Sequence, residues 1–133
     1  PALAPGRTTV YLPKFDHLAA KVAAPGGGLK GKLADLQKRY PVIGQVRGLG
    51  LMIGLEIVKP NEAQDHMGCY PADGELSALL QKKCFENGLI LERGGRNGCV
   101  LRLLPSLLIT NAELEVFLDK FENALLGAGV KPV

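Results

Sequence analysis

The sequence has no C-x-x-C pair, no dense run of lysine and arginine, and no apolar stretch approaching the length of a membrane span. Each absence removes a class of protein. The three cysteines, Cys69, Cys84 and Cys99, stand fifteen residues apart without any accompanying repeat. An odd number with no close pair supports neither a disulfide framework nor a zinc site. His66 and Cys69 share one polar loop, but two ligands without a second pair are too few for a metal centre. Cys84 and Cys99 fall at apolar positions and read as small core residues. A net charge of +3 is mild. The cluster Lys30, Lys32, Lys38 and Arg39 is interrupted by leucines at helical spacing, which is a solvated helix face, so nucleic-acid binding is not indicated. With no membrane span and no signal-peptide pattern at the start, the expectation is a cytoplasmic protein without a membrane partner.

Catalytic sets are missing too. Neither histidine has a paired nucleophile, so Ser/His/Asp and Cys/His chemistry lack support. No G-x-x-x-x-G-K-[ST] occurs. Gly48-Leu-Gly50 is not a dinucleotide fingerprint, because a strand follows it rather than a helix, and the third glycine and downstream acid are absent.

What is present suffices for one modest domain: 133 residues, 47% of them hydrophobic. Residues 1–15 hold Pro1, Pro5, Gly6 and Pro13 and read as an irregular arm, with Thr8–Leu12 as a possible short strand. Asp16 can cap a helix through Leu18, Ala19 and Val22. Pro25-Gly-Gly-Gly28 is expected to interrupt it, since proline removes a helix hydrogen bond and glycine adds backbone entropy. A second helix then carries Leu29, Leu33, Leu36 and Tyr40 on one stripe until Pro41.

From Val42 to Val58 the period changes to two. Leu51, Ile53, Leu55 and Ile57 share one face, with Met52, Gly54, Glu56 and Val58 on the other, and the Gly48–Gly50 link predicts an antiparallel hairpin. A polar loop, 61–72, follows. Asp73 opens a helix with Leu76, Leu79, Leu80 and Cys84 inward, closed by Gly88 and the apolar contact of Leu89. Thr110-Asn-Ala-Glu113 is a capping box opening a last helix with Leu114, Phe117, Leu118, Phe121 and Leu125 on one stripe, and a loose tail follows it. The fold class is therefore α+β, a small and mainly antiparallel sheet of 3–4 strands covered by helices on one face. Residues 1–15 form the arm, 16–127 the domain and 128–133 the tail.

The chain is organised around Leu89–Pro105. Two apolar runs, Leu89–Leu91 and Cys99–Leu104, flank the glycine-rich span Glu92–Gly98 and read as strand, turn, strand. Arg102 is the one charge in the second run, sharing a face with Val100 and Leu104. A guanidinium among aliphatic side chains is costly to desolvate unless an anion meets it. Two readings stay open. Either Arg102 pairs with Glu56 on a neighbouring strand or lies on a wet sheet face, or it clamps a ligand carboxylate through its planar fork. Arg93 and Arg96 read as solvated loop residues, and Arg47 as a holder of loop carbonyls. Lys59, at a strand end beside Pro60 and Asn61, reads as exposed.

Tyr40–Ile57 and Gly88–Pro105 resemble two separated motifs, in the right order, of the small C-terminal domain of class III aminotransferases, enzymes of fold type I that use pyridoxal phosphate. The resemblance covers roughly residues 29–126, leaves 59–72 unmatched, and at Gly94-Gly95-Arg96 is similar to the diaminobutyrate–2-oxoglutarate aminotransferases. It implies amino transfer between a diamino acid such as 2,4-diaminobutyrate and 2-oxoglutarate. It implies that Arg102 binds a substrate carboxylate and can swing against a glutamate of the large domain. Arg47, with Gly48 and Gly50, matches a structural turn of the family. The Schiff-base lysine, the aspartate for the pyridine nitrogen and the phosphate-binding loop belong to the family's large domain and have no match here. The implied partners are therefore that large domain, amino-acid and 2-oxo-acid substrates, and a second copy in a homodimer; the chain alone is expected to be inactive. Where the family has Pro-Pro-Leu, this sequence has Pro105-Ser106-Leu107. The competing reading is a non-catalytic amino-acid-binding or interaction module that kept the fold, favoured by the interruption at Pro25 and the unmatched arm.

Overall fold

The computed structural model describes residues 18–133, with side chains described from residue 28. Residues 1–17, including the possible strand at Thr8–Leu12 and the Asp16 cap, lie outside the described residues. The element order is α1 (Leu18–Arg39), β1 (Ile43–Leu49), β2 (Met52–Ile57), α2 (Gly74–Glu86), β3 (Glu92–Gly94), β4 (Val100–Leu103) and α3 (Asn111–Gly127). The four strands form one fully antiparallel sheet in the order β1-β2-β4-β3.

One expectation fails at the start. Pro25-Gly-Gly-Gly28 does not split the first helix, which runs through it as a single 22-residue element. Proline forfeits one backbone bond and glycine raises the entropy cost, but neither makes helical angles unreachable. Tertiary anchoring offsets that cost, because Leu29, Leu33, Leu36 and Tyr40 on the next turns are all buried.

The hairpin forms with Leu49 opposite Met52, so its two-residue turn is Gly50-Leu51, and Gly48 lies within β1 rather than in the link. Gly50 takes φ 56, which the primed hairpin turns favour. The period-two pattern of β2 then decides its faces: Ile53, Leu55 and Ile57 are buried and Met52 is exposed. Val58, assigned to the outer face by alternation, is buried as well, because it leaves the ladder to bridge Ala72.

Asp73 caps α2 through the Leu76 N–H, and the helix closes in a Schellman motif, with Leu89 N–H donating to Cys84 O and Gly88 N–H to Phe85 O. Its inner stripe is Ser77, Leu80 and Cys84, whereas Leu79, expected inward, is exposed. The Thr110–Glu113 capping box is complete, and Leu114, Phe117, Phe121, Ala124 and Leu125 of α3 are buried. Beyond α3 the tail is tied down rather than loose: Val130 packs against the core and Val133 N–H donates to Arg39 O.

All three helices meet the same face of the sheet, in one core with Ile53, Leu55, Ile57, Leu101 and Leu103. No described helix lies on the other face. There Gln45, Arg47 and Leu49 of β1 stand beside Glu56, Gly54 and Met52 of β2, and these beside Val100 and Arg102 of β4.

Candidate functional site

The uncovered face is where the sequence-predicted residues fall, in two adjacent cross-strand rows. One row reads Arg47, Gly54, Arg102, Glu92 across β1, β2, β4 and β3; the next reads Gln45, Glu56, Val100, Gly94. Gly54 leaves the space between the two arginines open. The resulting groove has a volume of about 590 Å³ and is lined by Arg47, Leu49, Met52, Gly54, Val100 and Arg102.

β3 is displaced from where the apolar pattern put it. Leu89–Leu91 is not a strand; the ladder is made by Glu92–Gly94, inside the polar span taken for a turn. The Leu91 carbonyl accepts from Gln81 Nε2 of α2. The hairpin instead closes through a 3-10 turn at Arg96–Gly98, with Asn97 at φ 50. Asn97-Gly98 is a strong hairpin signal, but a two-residue turn there would set Arg93 opposite Arg102; the observed pairing of Glu92 with Arg102 centres the hairpin on Asn97.

That register decides the partner of Arg102. Its guanidinium meets Glu92 at 3.0 Å, not Glu56, and both side chains stay about half exposed, at 41% and 50%. The guanidinium lies over Gly94, where a methyl group would collide with it. Arg102 is therefore neutralised within the chain, but by a partner that water also reaches.

Glu56 has other partners. Its side chain is only 12% exposed and is held by Arg96 Nε and Arg47 Nη1, at 2.8 and 2.9 Å. Burial pushes the Glu56 carboxyl up, yet the hydrogen bonds from Arg96 and Arg47 outweigh it and leave it below the ordinary glutamate range. Arg96 also donates to Tyr70 O, which ties the 59–72 loop to the sheet. Arg47 thus holds Gln45 and Glu56 side chains rather than loop carbonyls. Arg93 donates to Gly98 O, bracing the 3-10 turn. Lys59 is exposed and pairs with Glu62. Cys99 is buried beside Glu56, and burial followed by the charge of Glu56 raises its thiol pKa. Cys84, buried in the core, is pushed up to about 11, which makes it an inert thiol.

The family model for class III aminotransferases matches residues 7–125. The chain belongs to the class III aminotransferases. It is 42% identical over 127 residues to a diaminobutyrate–2-oxoglutarate aminotransferase from Haemophilus influenzae, covering 96% of this chain and 28% of that protein. A protein of the same name from Rhizobium meliloti is 40% identical over 96% of this chain and 26% of its own length. An alanine/serine racemase from Pyrococcus horikoshii is 34% identical over 92% of this chain. Among solved structures, a PMP-bound aminotransferase from Vibrio fluvialis superposes with a TM-score of 0.67 at 31% identity, over 85% of this chain and 24% of that one. A phospholyase from Arthrobacter superposes with a TM-score of 0.74 at 25% identity. This aminotransferase chain thus spans about a quarter of the length of its relatives. Its fold is the small domain of fold-type I pyridoxal-phosphate enzymes.

Pyridoxal phosphate, which the family implies for the intact enzyme, requires an enclosed lysine and an anion-binding cradle. No described lysine is buried, and Lys32, Lys38, Lys59 and Lys83 are ion-paired with Glu115, Asp35, Glu62 and Glu86. The described residues of the aminotransferase domain do not form the cofactor's site.

Proposed function

We propose that this chain is the small domain of a pyridoxal-phosphate-dependent aminotransferase that moves an amino group between a diamino acid such as 2,4-diaminobutyrate and 2-oxoglutarate. Arg102 grips a substrate carboxylate in this reading. The observation that carries it is an arginine standing half exposed on the uncovered sheet face, beside an open groove, held by one equally exposed carboxylate. A planar guanidinium so placed can donate both arms of its N–H fork to a ligand carboxylate, because its present partner is held only by an exposed ion pair. The names of two relatives at 40 and 42% identity support the donor and acceptor. The cofactor is held by a large domain outside these residues, the enzyme acts as a cytoplasmic homodimer, and the isolated chain is inactive.

The chemistry left to this chain is binding and orientation. Arg102 fixes one carboxylate of the substrate, and Arg47 and Arg96, committed to Glu56, hold the strands and turn that position it. The alternative of a non-catalytic module loses one of its supports, because α1 is unbroken at Pro25.

The test is glutamate formation from 2-oxoglutarate and 2,4-diaminobutyrate by the full-length protein that carries this chain. Arg102→Ala should raise KM for 2-oxoglutarate by about tenfold or more, the loss of one charge-assisted bidentate pair. Unchanged kinetics would remove Arg102 from the site. The isolated chain mixed with pyridoxal phosphate should give no borohydride-stable adduct on any one lysine.

A further inference from the structure

We infer that Gly94 is a positioning residue for Arg102: having no side chain, it leaves open the place on β3 where one arm of the guanidinium lies, and so fixes the direction in which the fork meets a carboxylate. The inference rests on the reading of Arg102 as a carboxylate clamp. Gly94, Gly95 and Gly98 all stand in this hairpin, and the last two are explained by their backbone. Gly95 and Gly98 take φ 73 and 63, the left-handed region that side chains rarely adopt. Gly94 does not share that reason. It is a ladder residue of β3, paired with Val100 of β4, and its φ lies outside that region. Glycine inside a strand gives up backbone entropy and packing, so its place there marks the close approach of another group.

That group is the Arg102 guanidinium. A Cβ on Gly94 would stand 3.2 Å from Arg102 Cζ and 3.6 Å from Nε, and nearer still to Nη2. The three atoms closest to it all belong to this one side chain, and none is backbone. A collision with the free end of a long side chain is relieved by moving that end, not the strand. Because the fork is planar and rigid, shifting Nη2 turns all of its N–H donors together. Gly94 therefore decides where the clamp points without touching the ligand itself.

The experiment compares Gly94→Ala, Arg102→Ala and the double variant in the full-length enzyme, by steady-state kinetics with 2-oxoglutarate and by chemical denaturation. Gly94→Ala should raise KM for 2-oxoglutarate about three- to fivefold, less than Arg102→Ala does, with kcat unchanged, because the fork still binds but from a turned position. Its denaturation midpoint should hold or rise, since alanine costs less backbone entropy than glycine where φ is ordinary. In the Arg102→Ala background, Gly94→Ala should leave KM where it is. A midpoint that falls as KM rises would mean that the glycine serves the strand rather than the arginine. A KM unchanged by Gly94→Ala, or raised by the same factor when Arg102 is absent, would end the positioning role while the clamp stands. If Arg102→Ala has no effect, both fall together.

Discussion

Glu56 and Glu92 stand on the same uncovered sheet face, one cross-strand row apart, and each is paired with arginine. Yet Glu56 is 12% exposed and held by two guanidiniums, while Glu92 is 50% exposed and held by one. The first arrangement joins β1, β2, the 3-10 turn and the 59–72 loop through one carboxylate, so its energy is spent on holding structure. The second joins only neighbouring strands at the sheet's edge, so it can be broken and remade without disturbing the core. The difference shows that an ion pair's neighbours, more than its chemistry, decide whether it can serve a ligand.

Substitutions at the two sites should have opposite effects on stability and on KM. Glu56→Ala carries the largest expected loss of stability, about 1–2 kcal/mol, because it strands Arg96 and Arg47 and frees the loop. Chemical denaturation should show it, with little change in KM for 2-oxoglutarate. Arg102→Ala should do the reverse, shifting the unfolding free energy by less than about 0.5 kcal/mol while raising KM. Equal stability losses at the two sites would erase the distinction drawn between them.

Acid should weaken the Glu56 cluster. Because Glu56 titrates lower in the fold than in the unfolded chain, its contribution is fully present above the ordinary glutamate value. It is lost as pH falls through the lower folded value. Denaturation midpoints measured downward from pH 6 should fall more steeply below about pH 4.3 in the wild type than in Glu56→Gln. Arg93→Ala should have the smallest effect, within about 0.5 kcal/mol, since its one partner is the exposed Gly98 carbonyl. A large loss there would mean that the 3-10 turn, rather than Glu56, secures this face.

Much of the fold was legible because local signals carried it. The capping box at Thr110, the Asp73 cap, the Gly88 terminus and the alternation along β2 are set by neighbours a few residues away. Where a longer-range contact competed, sequence reading went astray. The leucine stripe beyond Pro25 held the helix together across a break that propensity alone predicts. The Leu91 carbonyl is met by Gln81 of α2, a contact 10 positions away, and β3 lies in the polar span instead of the apolar run.

By itself the sequence determined the family and the α+β class, since both are written in motifs and periodicity, and it singled out Arg102 as the one charge in an apolar run. Only the tertiary structure decided which carboxylate meets that arginine. Register pairs Glu92 and Arg102, ten positions apart, and a one-residue slip of β3 against β4 would turn every side chain of β3 to the opposite face. The physical reason is that an ion pair depends on distance and exposure, which the folded sheet sets.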